Sequence, residues 1–95
     1  MLRDVGYVSA TPDELMKYSV HREKANRPAR HPEVRGSIPV QIQLEGEKPF
    51  CAQALAGDLE TQKAAVDAAM KWRFKKSRGA FKHYVLGIIN ISFKN

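Results

Sequence analysis

Two segments of this 95-residue chain alternate between apolar and polar residues, and they constrain its fold more than any other feature. The first is SIPVQIQL, residues 37–44, and the second is HYVLGIINISF, residues 83–93. A period of two over such lengths is typical of β-strands with one buried face. We therefore expect a sheet with one covered face. Its inward residues are Ile38, Val40, Ile42 and Leu44 in the first strand and Val85, Ile89, Ile91 and Phe93 in the second.

Between these strands the sequence predicts a turn, a weaker strand and a helix. Gly46 in EGEK marks the turn, and FCAQAL follows as the second strand. The segment GDLETQKAAVDAAMKWRF predicts a helix with Asp58 as its N-cap, because an Asp side chain accepts hydrogen bonds from the first turn. Trp72 lies one turn beyond the small residues Ala68 and Ala69, so we expect it in the core. The helix stripe expected to face the core is Leu59, Val66, Met70 and Phe74.

The first third of the chain carries weaker signals. Thr11, Pro12, Asp13 and Glu14 form a helix-start signature, which predicts a short helix. We expect residues 1–14 to form an N-terminal segment that is disordered or vector-derived, and residues 15–95 to form the domain. The predicted fold is α+β. It has a small antiparallel three-stranded sheet in the order strand, strand, helix, strand, with the helix packed on one face.

Composition and side-chain spacing favour an ordered, non-catalytic domain. Hydrophobic residues make up 43% of the chain, which argues against intrinsic disorder. Cys51 is the single cysteine and has no recognisable base nearby, so neither an internal disulfide nor a nucleophile is expected. His21, His31 and His83 are scattered and predict no metal site. We expect no enzyme activity, no catalytic residue, no cofactor and no metal.

The charge balance permits several polyanionic partners without selecting one. The formal net charge is +6, and residues 71–83 hold six Lys or Arg and no carboxylate. Trp72, Phe74 and Phe81 interleave with these cations, as in stacking platforms for single-stranded nucleic acid. We favour the alternative, in which Trp72 and Phe74 pack in the core and the cations flank a helix C-terminus. Nucleic acid therefore ranks last among the expected partners, behind an anionic wall polymer.

Three stretches together resemble the C-terminal domain of the TonB energy-transducer family. They are GSIPVQIQLEGE, GDLETQKAAVDAAMKWRFKK and the closing strand that ends in ISF, and the resemblance covers roughly residues 15–95. The helix with its KWRF ending is the most specific part. His31–Pro32 departs from the family, which usually has Tyr-Pro there. The positions that match the family pattern are Gly36, Gly46, Leu59, Ala65, Ala68, Trp72, Arg73 and Phe74.

The resemblance implies a helix-backed sheet whose last strand lies at an edge and captures an extended peptide by strand addition. In transducers that peptide is the TonB box of an outer-membrane transporter, and capture serves energy-coupled transport. The residues implied for this edge are Tyr84, Val85, Leu86, Gly87, Ile88, Ile89 and Asn90. The core motif is Trp72, Phe74, Val66 and Met70.

The resemblance also implies a periplasmic location, as a domain of a membrane-anchored protein or of a secreted one. The sequence printed here contains no signal peptide of the usual pattern and no apolar run of the about 18 residues needed to span a bilayer. The alternative function is a divergent cell-envelope module of the same fold, used for self-association as a homodimer or for complex assembly with another envelope protein. A basic nucleic-acid-binding domain is the third hypothesis.

Overall fold

A computed structural model describes residues 7–30, 36–75 and 84–94 of the chain. Within these residues the chain forms six strands and two helices. The α+β class expected from the sequence is confirmed. In chain order the elements are β1 (Tyr7–Ala10), α1 (Pro12–Tyr18), β2 (Ser19–His21), β3 (Ser37–Glu45), β4 (Lys48–Ala54), α2 (Leu59–Ala69), β5 (Arg73–Phe74) and β6 (Tyr84–Ser92).

The main sheet has four strands in the order β1-β6-β3-β4. Strands β6, β3 and β4 are the three antiparallel strands that the sequence predicts, with β3 in the centre. The fourth strand, β1, is an addition to the predicted sheet and runs parallel to β6. A separate two-stranded sheet pairs β2 with β5. The sheet is therefore mixed rather than purely antiparallel.

The N-terminal part of the fold begins earlier in the chain than residue 15. Strand β1 and the first turn of α1 both lie within residues 7–14, and they pack on the same domain. Helix α1 begins with a capping box, in which the Thr11 hydroxyl accepts from the backbone N–H of Glu14 and the Glu14 carboxylate accepts from the backbone N–H of Thr11. The predicted Thr11–Pro12 helix start is confirmed.

The core lies between one face of the main sheet and the two helices. The predicted inward residues of β3 and β6 are all buried, since none is more than 7% exposed. Leu15 of α1 is fully buried over the same sheet face, and α2 covers the neighbouring part. The β3–β4 hairpin turns at Gly46, whose φ of +67° suits glycine in a tight hairpin turn.

Pro39 lies inside the central strand, which is unusual because proline has no N–H for a ladder. Its carbonyl oxygen accepts from the backbone N–H of Leu55, 2.9 Å away. The nitrogen and the carbonyl of one strand residue point to the same side, so the missing donor of Pro39 faces away from β6. Its register partner in β6 is Asn90, and the ladder requires no hydrogen bond between these two residues. The ladder between β3 and β6 therefore tolerates the proline.

Helix α2 has the predicted N-cap but not the predicted core stripe. The Asp58 side chain accepts from the backbone N–H of Thr61, 2.9 Å away. Leu59, expected in the core, is 83% exposed, and Val66 and Met70 are only half-buried. Successive helix residues are about 100° apart, and the buried face includes Ala65, the residue next to Val66. The buried face therefore lies about 100° around the helix from Val66. Its members are the small residues Thr61, Ala65, Ala68 and Ala69.

The aromatic pair after α2 is buried. Trp72 is 3% exposed and Phe74 is 1% exposed, with their ring centroids 6.2 Å apart. The Trp72 indole Nε1 donates to the carbonyl oxygen of Glu23, 3.1 Å away. The backbone N–H of Phe74, which lies in β5 rather than on α2, donates to the carbonyl oxygen of Glu47 at 2.9 Å. Trp72 thus connects the end of α2 to the segment that precedes β3.

Candidate functional site

The seven residues implied as a peptide-binding edge are consecutive in β6, and the structure places β6 between β3 and β1. The expectation that this strand is an open edge is wrong for its first half. Tyr84, Val85, Leu86 and Gly87 lie opposite Tyr7, Val8, Ser9 and Ala10. The sequence signal for β1 is weak because four residues are too few to show an alternating pattern.

Backbone hydrogen bonds show which residues of β6 direct their N–H and C=O groups to the side away from β3. The Ser92 carbonyl accepts from the N–H of Ala25, and the N–H of Lys94 donates to the Ala25 carbonyl, both at 2.8 Å. Ala25 lies on the side of β6 away from β3, so the even-numbered residues of β6 direct their backbone groups toward that side. Asn90 lies between β1 and Ala25, and in the described ranges no strand flanks it on that side.

The two faces of β6 differ in burial. The odd-numbered residues from Val85 to Ile91 are buried against the helices, as their alternation predicts. On the opposite face Leu86 and Ile88 are half-buried and Asn90 is exposed. A strand added to β6 would therefore place alternate side chains against an apolar interior and against a more polar surface. That arrangement provides main-chain affinity together with side-chain selectivity.

Gly87 is the point of closest approach on this strand. A β-carbon built there would lie 2.5 Å from the Leu15 Cδ1 atom and 2.9 Å from the Ala10 carbonyl oxygen. Both distances are shorter than ordinary contacts of a β-carbon, so a side chain at this position would force Leu15 and β1 to move. Gly87 therefore allows α1 and β1 to approach β6 at one position.

The outer side of β4 is the other sheet edge in the described ranges. Gln41 and Gln43 direct their backbone groups toward β4, like Pro39, so Ala52 and Ala54 direct theirs outward. A groove beside this edge is lined by residues 52–54 of β4 and by one side of α2, which contributes Leu59, Gln62, Lys63 and Val66. The strand begins with Lys48 and Pro49 and contains a bulge, which are features that protect sheet edges from pairing.

The basic segment does not form a stacking surface where the structure describes it. Trp72 and Phe74 are buried, so their rings are not available to nucleobases. Arg73 donates from Nη1 to the carbonyl oxygens of Met70 and Trp72, at 2.9 and 2.7 Å, and thereby caps the end of α2. Phe81 and the cations at positions 76, 78 and 82 lie outside the described residues.

No catalytic or metal-binding arrangement is visible in residues 7–30, 36–75 and 84–94. These ranges contain no cluster of three His, Cys, Asp or Glu side chains that could hold a metal ion. His21 lies 3.3 Å from the Glu23 carboxylate in an exposed surface pair, and Cys51 is half-buried on β4. His31 and His83 lie outside the described residues.

The helices in the described part of the chain are too short and too polar to cross a membrane. Comparison of the sequence with known protein families finds no matching family model. Comparisons with curated proteins and with solved structures likewise find no significant match.

Proposed function

We propose that this protein is a non-catalytic binding module that captures an extended peptide along β6 by strand addition. In the proposed role it acts as the C-terminal domain of a TonB-type energy transducer does, with a TonB-box-like peptide of an outer-membrane transporter as partner. The supporting observation is that β6 already pairs with a strand from elsewhere in the chain, in a continuous four-residue register. Strand pairing at this edge is thus compatible with the packing of the domain.

The pairing of β6 with β3 suits a role in transmitting force. Eight consecutive residue pairs join the two strands, from Ser37 opposite Ser92 to Leu44 opposite Val85. A peptide paired with β6 and pulled along its length would load this ladder in shear, so that many hydrogen bonds share the force. Energy-coupled transport in the cell envelope requires such a connection between a captured peptide and the body of the transducer.

Backbone amide chemical shifts test the proposal. Titration of isotope-labelled protein with TonB-box-like peptides should shift the amides of residues 84–92, because a new strand changes their hydrogen bonding. The matched control is the same peptide with alternate residues replaced by proline, which removes main-chain donors and should not bind. Shifts confined to α2 or to residues 15–30, with none along β6, would contradict the proposal.

A second candidate function is self-association of a divergent envelope module through β4. The supporting observation is that Leu59, which lines the groove beside β4, is 83% exposed. Exposed apolar side chains next to a sheet edge favour an interface. This candidate is weaker because Lys48 and Pro49 protect that edge.

Sedimentation velocity over a range of protein concentrations tests self-association. If β4 forms the interface, Leu59→Lys should shift the protein toward monomer, because it places a charge beside the paired edge. The control Val20→Lys adds the same charge at another exposed apolar residue, which is 62% exposed on β2 and lies outside the groove beside β4. A wild-type protein that stays monomeric at every concentration would rule out this candidate.

A further inference from the structure

Strand β1 is held to the sheet by one neighbour. In the described part of the chain it is the outermost strand, it is four residues long, and it pairs with β6 alone. Thr11 then leads directly into α1, which is fixed independently because Leu15 is fully buried over Gly87. Release of β1 would therefore expose the edge of β6 and leave α1 in place.

The pairing of β1 defines which of its backbone groups bond to β6. The even-numbered residues of β6 face this edge, and in a parallel ladder a residue bonds to the two neighbours of its register partner. Val8 is the partner of Val85 and Ala10 is the partner of Gly87, so Val8 and Ala10 direct their N–H groups toward β6. Ser9 directs its N–H away from the sheet.

The same geometry restricts what can lie opposite Gly87. Ala10 is partly buried against the core, and its carbonyl oxygen lies where a side chain on Gly87 would otherwise sit. Leu15 occupies the adjoining space. Ala10 and Gly87 are register partners, so their side-chain positions face the same, core side of the sheet. A larger residue in place of Ala10 would overpack that side, so the position favours a small side chain.

From these observations we infer that β1 occupies the place of the captured peptide. The peptide binds β6 only by displacing β1, and it adopts the register of β1 with a small residue opposite Gly87. This inference rests on the proposed function. It adds that β1 competes with the ligand and that the ligand has a small residue opposite Gly87.

Competition by β1 lowers the apparent affinity for the peptide by a factor that follows from the open fraction of β6. The apparent dissociation constant equals the intrinsic constant divided by the fraction of molecules in which the edge is open. A strand tethered through one residue acts as a local competitor at an effective concentration on the order of millimolar. If β1 is released in about 1–10% of molecules, the peptide binds the intact chain about 10- to 100-fold more weakly than it binds a chain with β1 removed from β6.

Two proline variants of the full chain separate competition from other effects of substitution. Ala10→Pro removes an N–H that bonds to β6 and should release β1, whereas Ser9→Pro removes an N–H that faces solvent and should leave the pairing intact. Val8→Pro is the second releasing variant if Ala10→Pro disturbs the core. Amide spectra of β3 and α2 establish that each variant is folded.

The probe is a fluorescent peptide with the sequence of residues 1–11, measured by anisotropy against each variant. We expect it to bind Ala10→Pro at least about 10-fold more tightly than it binds the intact chain or Ser9→Pro. A version of the peptide with leucine at the position of Ala10 should bind about 5- to 150-fold more weakly, because the extra atoms overpack the core side of the sheet. Equal affinities for Ala10→Pro and Ser9→Pro would overturn the inference, and so would failure of the peptide to bind a folded, β1-released chain.

A TonB-box-like peptide, tested on the same variants, distinguishes failure of the inference from failure of the proposed function. Binding to Ala10→Pro and Ser9→Pro with equal affinity would support capture at β6 and overturn competition by β1. Binding of the residue 1–11 peptide alone would support an exchangeable β1 and overturn capture of the transporter peptide.

Discussion

Replacing Trp72 by alanine is expected to lower the free energy of unfolding by about 3–5 kcal/mol, the range for truncating a buried aromatic side chain. The ring is 3% exposed, packs beside Phe74 and donates a hydrogen bond to the Glu23 carbonyl. Removing it leaves a cavity at the end of α2 and an acceptor without its donor. Urea unfolding should be followed by circular dichroism, because Trp72 is the single tryptophan and its fluorescence is lost in the variant.

Two variants sharpen this prediction. Leu59→Ala is the matched control, and because Leu59 is 83% exposed its effect should stay within about 0.5 kcal/mol. Trp72→Phe keeps an aromatic ring and removes the indole donor, so it should cost less than the alanine variant. A Trp72→Ala protein that loses less than about 1 kcal/mol would contradict a core role for the ring and would point to a role in ligand stacking.

Replacing Gly87 by alanine is expected to lower the free energy of unfolding by about 1–3 kcal/mol, the usual penalty for overpacking. The new methyl group would overlap the tip of Leu15, which can rotate away, and the Ala10 carbonyl, which is backbone and moves only with β1. The expected consequence is a loosened N-terminal strand together with lower stability. Urea unfolding measures the stability, and the amide signals of residues 7–10 report on the strand.

A double-mutant cycle with Leu15→Ala assigns the cause of the Gly87→Ala penalty. Shortening Leu15 costs about 2–5 kcal/mol alone, because its side chain is fully buried. In that background Gly87→Ala should cost less than in the wild type, since the cavity accepts the added methyl group. Equal penalties in the two backgrounds would place the conflict at the Ala10 carbonyl instead of at Leu15.

The central parts of the fold were predictable because their sequence signals are local and strong. The alternation along β3 and β6 is long enough to specify both a strand and its buried face. Thr11 and Asp58 identify helix starts through hydrogen bonds that form within three residues of the cap. These features depend on neighbours in the sequence, so one sequence is sufficient to recognise them.

The errors came from features that depend on distant contacts. Strand β1 exists because β6 offers it an edge, and a four-residue segment carries little signal of its own. The stripe through Leu59 and Val66 has regular helical spacing, but the sheet is approached by Ala65 and Ala69, whose small size allows close packing. The sequence places the proposed peptide-binding edge on β6, but it does not reveal that β1 pairs with half of that edge.

The central position of β3 between β4 and β6 has a consequence for the order of folding. The β3–β4 hairpin and α2 can form from residues that are close in sequence. Strand β6 is distant in sequence from β3, because α2 and β5 lie between β4 and β6. Strand β1 and Ala25 can pair only after β6 is in place. During synthesis the side of β3 that pairs with β6 would therefore stay open until β6 emerges, and β1 and Ala25 would join the sheet after that step.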